Sequence, residues 1–200
     1  MKQKFTEKEI TDALNGHYSG NARYKLANAY IFKGDWESDF FVQKQNGYCY
    51  EFEVKVSRSD FFNDKKKISK HLILSTGKFV EQTKIWNENH TSYDDRFTTV
   101  SEEKDHGFRP NKFFYVVPAG MITIDELPPY AGLITYDGGS ITPVKEAPFI
   151  HKEKLDFSSV LCGKFYAYWL DARFQVRQLK IENSHLEREV ERLNKKIQNK

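Results

Sequence analysis

The spacing of apolar positions changes several times along the chain, and each change predicts an element. Thr6 to Leu14 has helical spacing; Thr6 is placed to cap it, and Glu9 falls at the third helical position to close a capping box. Lys25 to Phe32 is a strand-like apolar run, followed by a turn signal at Gly34-Asp35. Two further strands are expected at Glu37 to Gln43 and Tyr48 to Val56. They are joined by Lys44-Gln45-Asn46-Gly47, whose Asn-Gly pair predicts a hairpin. The second strand alternates: Tyr50, Phe52, Val54 and Val56 fall on one face, and Glu51, Glu53 and Lys55 fall on the other, which reads as the polar face.

Ser57, with Asp60 three residues later, starts a helix expected to run to about Leu74, with Phe61, Phe62, Ile68 and Leu72 for packing. Residues 75–111 are polar and weakly periodic, and are expected to form a mobile insertion. Lys112 to Pro118 then reads as a buried strand, Ile124 to Leu127 as a helical turn, and Ala131 to Tyr136 and Ile141 to Lys145 as strands around the Asp137-Gly138-Gly139 turn. This succession predicts an α/β fold, a mixed central sheet flanked by helices, over residues 1–160.

From about Phe157 the period becomes helical and then heptad. Trp169, Val176, Asn183, Val190 and Ile197 form one row; Phe165, Ala172, Leu179, Leu186 and Leu193 form the other. Leu at one row and Val or Ile at the other suit a two-stranded coiled coil, with Asn183 fixing its register. Residues 161–200 are therefore expected to be a C-terminal helix that makes a homodimer through Val176, Leu179, Asn183, Leu186, Val190, Leu193 and Ile197. A helix docked on its own domain is the other reading. Glu182 would face Glu187 of a parallel mate, so strand orientation stays open. The stretch Asn183 to Leu193 also resembles the leucine zippers of dimeric transcription factors, but the basic region those place upstream is missing. The resemblance implies dimerisation alone.

Composition narrows the class. No apolar run is long enough to span a membrane, and the polar N-terminus lacks a signal-peptide core, so a cytoplasmic protein is expected. Cys49 and Cys162 have no spacing for zinc or a disulfide framework; both are expected as reduced, mostly buried thiols. A net charge of +3 does not by itself indicate nucleic acid. Its distribution is more informative. Lys65, Lys66, Lys67 and Lys70 cluster, flanked by Arg58 and His71, either as a solvated helix face or as phosphate contacts.

The hairpin carries the candidate chemistry. Glu37 and Asp39 share a face of one strand, and Glu53 and Lys55 share a face of the next. If those faces coincide, carboxylates crowd together and a hard divalent cation would relieve their repulsion. From spacing alone, a solvated face with a cross-strand salt bridge explains the same residues.

The segments Trp36-Glu37-Ser38-Asp39, Tyr50 to Phe61 with its Glu53-Val54-Lys55-Val56-Ser57-Arg58-Ser59-Asp60-Phe61 core, and Asp64-Lys65-Lys66-Lys67 resemble the PD-(D/E)XK nuclease superfamily, within it the MmcB-like DNA repair family and its phage and mobile-element relatives. The resemblance continues through Phe113 to Pro118 and Pro129 to Ile134. It implies a restriction-endonuclease-like core and a Mg²⁺- or Mn²⁺-dependent nuclease acting on DNA in repair, recombination or phage DNA processing. The alternative is a catalytically silent DNA-binding or scaffolding protein. Carried over residue by residue, Asp39 and Glu53 resemble the metal-binding carboxylates, Lys55 the catalytic lysine, and the Val54 backbone carbonyl a further metal ligand. Glu9 matches the helix-borne Glu of some members, against its capping-box role, and Glu37 is an extra ligand or a solvated strand-edge residue. Arg58, Lys65, Lys66, Lys67, Lys70 and His71 become DNA-binding candidates. Ser38 stands where the superfamily's name has Pro.

Overall fold

In the computed structural model, residues 4–32, 36–86, 88 and 97–198 are described. They divide into a mixed α/β unit ending at Leu155 and a second unit from Asp156, a few residues before the expected boundary. The first unit runs α1 (Glu7–His17), β1 (Ala22–Ala29), β2 (Ser38–Lys44), β3 (Cys49–Val54), α2 (Arg58–Asp64), α3 (Ile68–Thr76), β4 (Lys78–Trp86), β5 (Phe97–Asp105), β6 (Lys112–Pro118), a 3₁₀ turn (Ile124–Glu126), β7 (Ala131–Tyr136) and β8 (Ile141–Lys145). The second unit is α4 (Ser158–Gln198).

The main sheet has the order β1-β2-β3-β6-β7-β8. The pairs β3–β6 and β6–β7 are parallel; the others are antiparallel. The sheet is therefore mixed, as the alternation of helices and strands implied. The hairpin closes at Gly47, whose φ of +89° suits glycine, and Lys44 N–H donates to Tyr48 O at 2.8 Å. The Gly34-Asp35 turn signal lies outside the described residues.

One face of the sheet is an apolar core. Ile10 and Leu14 of α1, with Tyr18 just after it, cover Phe40, Val42, Phe52, Val54, Phe114 and Val116, the even positions of β2, β3 and β6. Helices α2 and α3 cover the opposite face, where Phe61 meets Tyr115 edge-on at 4.9 Å between ring centroids. The sequence led us to expect one helix from Ser57 to Leu74; there are two. Asp64 turns inward to accept from the Tyr115 hydroxyl at 2.7 Å. Tight turns, Lys66 N–H to Asn63 O and Lys67 N–H to Asp64 O, then break the helix. Each helix buries its own side chains, Phe61 in α2 and Ile73 and Leu74 in α3.

The described parts of the polar insertion are also more ordered than expected; residues 87 and 89–96 of it lie outside the described residues. β4 and β5 form a separate two-stranded antiparallel sheet. Lys78–Glu103 and Lys104–Glu81 ion pairs and an edge-on Trp86–Phe97 contact at 5.3 Å link the strands. Both faces are largely polar, so the period of two is hidden in a hydropathy pattern. Cys49 is buried but Cys162 is exposed, against the expectation for the latter. Helix α4 is continuous over 41 residues, and its heptad rows from Val176 onward are exposed. Among the described residues no helix is long and apolar enough to cross a membrane.

Candidate functional site

The β2–β3 register pairs Phe41 with Glu51. One step further along the face, Asp39 lies opposite Glu53 by the same antiparallel register. Lys55 follows on that face, with its amide bonded to Val116 O on β6 at 3.0 Å. The three candidate residues therefore meet. Lys55 Nζ is 2.8 Å from Glu53 Oε1 and 3.6 Å from Asp39 Oδ2. Val54 N–H donates to Asp39 Oδ2 at 2.7 Å. The N–H and C=O of a strand residue leave by the same edge, so the Val54 carbonyl is directed to the Asp39 side of β3.

This face is not the solvated one that alternation suggested. Glu51, Glu53 and Lys55 are all buried. Cations from α3 and the residue before it make that tolerable. Lys70, itself buried, bonds Glu53 Oε2 and lies 3.5 Å from Glu51 Oε1. Lys67 lies 3.4 Å from Glu53 Oε1 and 2.8 Å from Asp64 Oδ1. Trp36 Nε1 donates to Glu51 Oε1 at 2.6 Å, and the Ser38 side chain also bonds this carboxylate. Four carboxylates and three ammonium groups thus share the space between the sheet and the α2–α3 layer.

The electrostatics follow from burial and neighbours. Burial, reinforced by the Glu53 charge, pushes Asp39 up to about 6, although Lys55 and the Val54 amide oppose the rise. Burial pushes Glu51 up to about 7 against the pull of Lys70. Burial works against the charged form of Lys55, but Glu53 and Asp39 outweigh it and raise its pKa. Lys70 is raised in the same way, with Glu51 and Glu53 overcoming burial. Asp64 is held well below the usual carboxylate range: burial opposes ionisation, but the hydrogen bond with His71 and the Lys70 charge prevail.

The remaining sequence candidates divide. Glu9 closes the expected capping box; its Oε2 accepts from Thr6 N–H at 2.7 Å and Thr6 Oγ1 at 2.8 Å. Its carboxylate is committed there. The α1 carboxylate whose charge reaches Asp39 is Glu7, two residues earlier. Glu37 is exposed and precedes β2 rather than sharing its face. Lys70 is the clearest correction: two buried carboxylates draw it into the interior, so it is not a surface phosphate contact. His71 is largely buried, with Nδ1 on the Tyr130 hydroxyl and Nε2 2.8 Å from Asp64 O. Arg58 pairs with Glu126, and Lys65 Nζ donates to the Glu126 carbonyl. Arg58, Lys66 and Lys67 are the exposed members of the group, Arg58 being tied to Glu126. Glu51, Asp64 and Glu7 were missed. Glu51 carries the same alternation signal as Glu53, and Asp64 opens the lysine run.

Among the described residues, no group of three or more His, Cys, Asp or Glu side chains is arranged to hold a metal ion. Asp39 and Glu53 with the Val54 carbonyl are a leaner set, of the kind that suffices for Mg²⁺ when waters and substrate phosphate complete the shell. Asp39 is partly exposed; Glu53 is enclosed by Lys55, Lys67 and Lys70. Lys55 fills the gap between Asp39 and Glu53 and Lys70 bonds the other Glu53 oxygen, so a hard cation fits this set only when those ammonium groups give way. At the carboxyl ends of β3, β6 and β7 a cavity of about 750 Å³ opens against Phe5, Val56, Met121 and Tyr136.

The chain is thus a mixed α/β protein with a charged, partly enclosed site at the end of its central hairpin. No protein-family model matches it, and no curated protein matches it. Among solved structures it is similar to the SPO1766 protein of unknown function from Silicibacter pomeroyi, with a TM-score of 0.54 and 16% identity over 88% of this chain and 94% of that one. At that identity the likeness concerns the fold.

Proposed function

We propose that the chain is a metal-dependent deoxyribonuclease that hydrolyses DNA phosphodiester bonds in repair, recombination or phage DNA processing. The observation that carries this reading is the convergence of Asp39, Glu53 and Lys55, with Lys55 Nζ 2.8 Å from Glu53 and 3.6 Å from Asp39. Asp39, Glu53 and the Val54 carbonyl would hold Mg²⁺ or Mn²⁺, which when bound supplies an activated water and neutralises phosphate charge. Lys55, held between two carboxylates, keeps its ammonium aimed at the place where charge develops on the phosphate. Exposed Lys66 and Lys67 reach flanking phosphates. The apolar cavity beside Val56 gives a base a surface to rest on.

A homodimer through the α4 heptads is part of the proposal. The seam residues Val176, Leu179, Leu186, Val190, Leu193 and Ile197 are all at least 46% exposed, and an isolated helix with such a row needs a partner.

One observation favours a second reading, a catalytically silent DNA-binding or scaffolding protein. Both oxygens of Glu53 are already engaged by ammonium groups. Cleavage assays on single-stranded, nicked, branched and duplex DNA in Mg²⁺ and Mn²⁺ separate the two. The nuclease reading expects cleavage by the wild type and none by folded Lys55→Ala. Equal cleavage by both would place the activity elsewhere; DNA binding without cleavage would leave the scaffolding reading.

A further inference from the structure

We propose that helix α4 pairs with a second copy of this chain in parallel and in register, along a seam that begins at Cys162. The inference rests on the homodimer reading above and fixes its orientation.

The helix is continuous from Ser158 to Gln198, so its heptad rows can be followed back toward its first turn. Seven residues before Trp169, the Asn183 row reaches Cys162. That thiol is exposed, whereas Cys49 is buried. Farther along, Trp169, Val176, Leu179 and Leu186 are between 49% and 58% exposed. With its flanking positions, a seam of this length engages about twenty residues a side, which is what a stable interface needs.

Asn183 decides the orientation. It is the one polar member of the two rows between Trp169 and Ile197. In a parallel, in-register pair each seam residue meets its own copy, so the two Asn183 amides bond each other. In an antiparallel pair the Asn183 row packs on the leucine row, and Asn183 meets Leu179 or Leu186 of the mate. Both amides are then desolvated without a partner. The apolar residues agree. Val176, Val190 and Ile197 are β-branched on one row and leucines fill the other, the pattern that favours two parallel strands.

The flanking charges lean the other way. A parallel pair sets each Glu182 against Glu187 of the mate. An antiparallel pair that covers the whole seam sets Arg173 against that Glu187, with Glu182 and Lys180 each opposite its own copy. These side chains stay at the solvent edge, where a charge pair contributes little and salt screens it. An unpaired buried amide costs several times more, so Asn183 prevails. Because the α/β unit precedes α4 in each chain, both units then join the paired helices at the Ser158 end.

The test is disulfide trapping of the full chain in oxidised glutathione, read on non-reducing gels beside the mass from light scattering. Wild type carries a thiol at Cys162. A second chain, Cys162→Ser with Ile197→Cys, carries one at the far end of the seam, about 50 Å away. A disulfide needs Cα atoms within about 4–7 Å. The parallel pair is expected to trap each chain with itself in most molecules and to give no mixed product when the two are combined. Cys162→Ser alone, with only buried Cys49, should not cross-link. Nor should Cys162→Ser with Phe174→Cys, whose thiol is exposed on the side of the helix away from the seam. Mixed disulfides without self-disulfides, from chains of dimeric mass, would overturn the parallel orientation and leave the homodimer standing. Trapping through Phe174→Cys as strong as through Cys162, or a dimeric mass with no trapping at all, would put the contact off this seam. A monomeric mass would overturn the homodimer reading itself, and this inference with it.

Discussion

Replacing Lys70 by Met probes the interior of the charge cluster. Methionine has similar length and keeps apolar contact with Trp36 and Phe113, so the change is mainly electrostatic. It strands two carboxylates: Glu53, bonded by Lys70, and Glu51, 3.5 Å away and wholly buried. Breaking a buried pair by removing one partner costs about 3–5 kcal/mol, a large part of the roughly 5–15 kcal/mol of a typical domain. The cost should depend on pH. Glu51 sits at about 7 against an ordinary 4.5. A carboxyl raised on folding contributes stability that is present below its unfolded value and lost as pH rises through its folded value, here a loss of about 3 kcal/mol at 1.36 kcal/mol per pKa unit. Lys70 limits that rise, so its removal deepens the loss at alkaline pH and matters less where Glu51 is protonated. Urea unfolding in EDTA at about pH 5 and about pH 8 is the assay, on wild type, Lys70→Met, Glu51→Gln and the double variant. Lys70→Met should lose about 3–5 kcal/mol at the higher pH and clearly less at the lower. Glu51→Gln should recover about 1–2 kcal/mol of that loss in the double variant. A cost below about 1 kcal/mol at the higher pH, or the same cost at both, would refute the argument.

Two other expectations concern the frame. Gly132 of β7 lies against Phe114, and an added Cβ would come within 2.5 Å of Phe114 Cδ1 and 2.7 Å of the Ala147 backbone nitrogen. Gly132→Ala should therefore lower thermal stability by about 1–3 kcal/mol; an unchanged melting temperature would mean the sheet relaxes freely there. Truncation after Arg177 removes most of the heptad seam and should convert a dimer to a monomer in light scattering, whereas an unchanged mass would dispose of the dimer.

The strands were legible where an element buries one face or both. Lys112–Pro118 and Ala131–Tyr136 were recognisable as continuous apolar runs, and Thr6 and Glu9 announced their capping box. The β4–β5 ribbon was not legible, because neither face offers an apolar stripe. The break at Lys65–Lys67 was hidden for another reason: it depends on Asp64 reaching Tyr115, 51 positions away in the chain. The site was legible in part. Alternation put Glu53 and Lys55 on one face, and the hairpin brought Asp39 across from them. That the face is buried could not be read from its charges, because the cations that neutralise it come from a segment that looks like a solvated helix. The same long-range pairing took Lys70 out of the expected phosphate-contacting set and brought Glu51 into the cluster.

The two faces of this one sheet give an argument for the site that does not depend on resemblance. On the α1 side, β2, β3 and β6 present Phe40, Val42, Phe52, Val54, Phe114 and Val116, a complete apolar core. On the α3 side the same strands present Asp39, Glu51 and Glu53, and α2 and α3 meet them with Asp64 and Lys70. Fold stability alone does not call for this. Well-packed apolar side chains in place of a buried ion cluster are often neutral or stabilising by about 1–4 kcal/mol, and the first face is an example of such packing. Nor is the cluster closed like a structural salt bridge: Asp39 is partly exposed at its edge, and one of its three ammonium groups is half in solvent. Costly, incompletely satisfied charge at the carboxyl end of a central strand is where a local rule is broken for a task other than folding. The proposed chemistry is therefore assigned to the α3 face, where Asp39 and Lys67 are the accessible members.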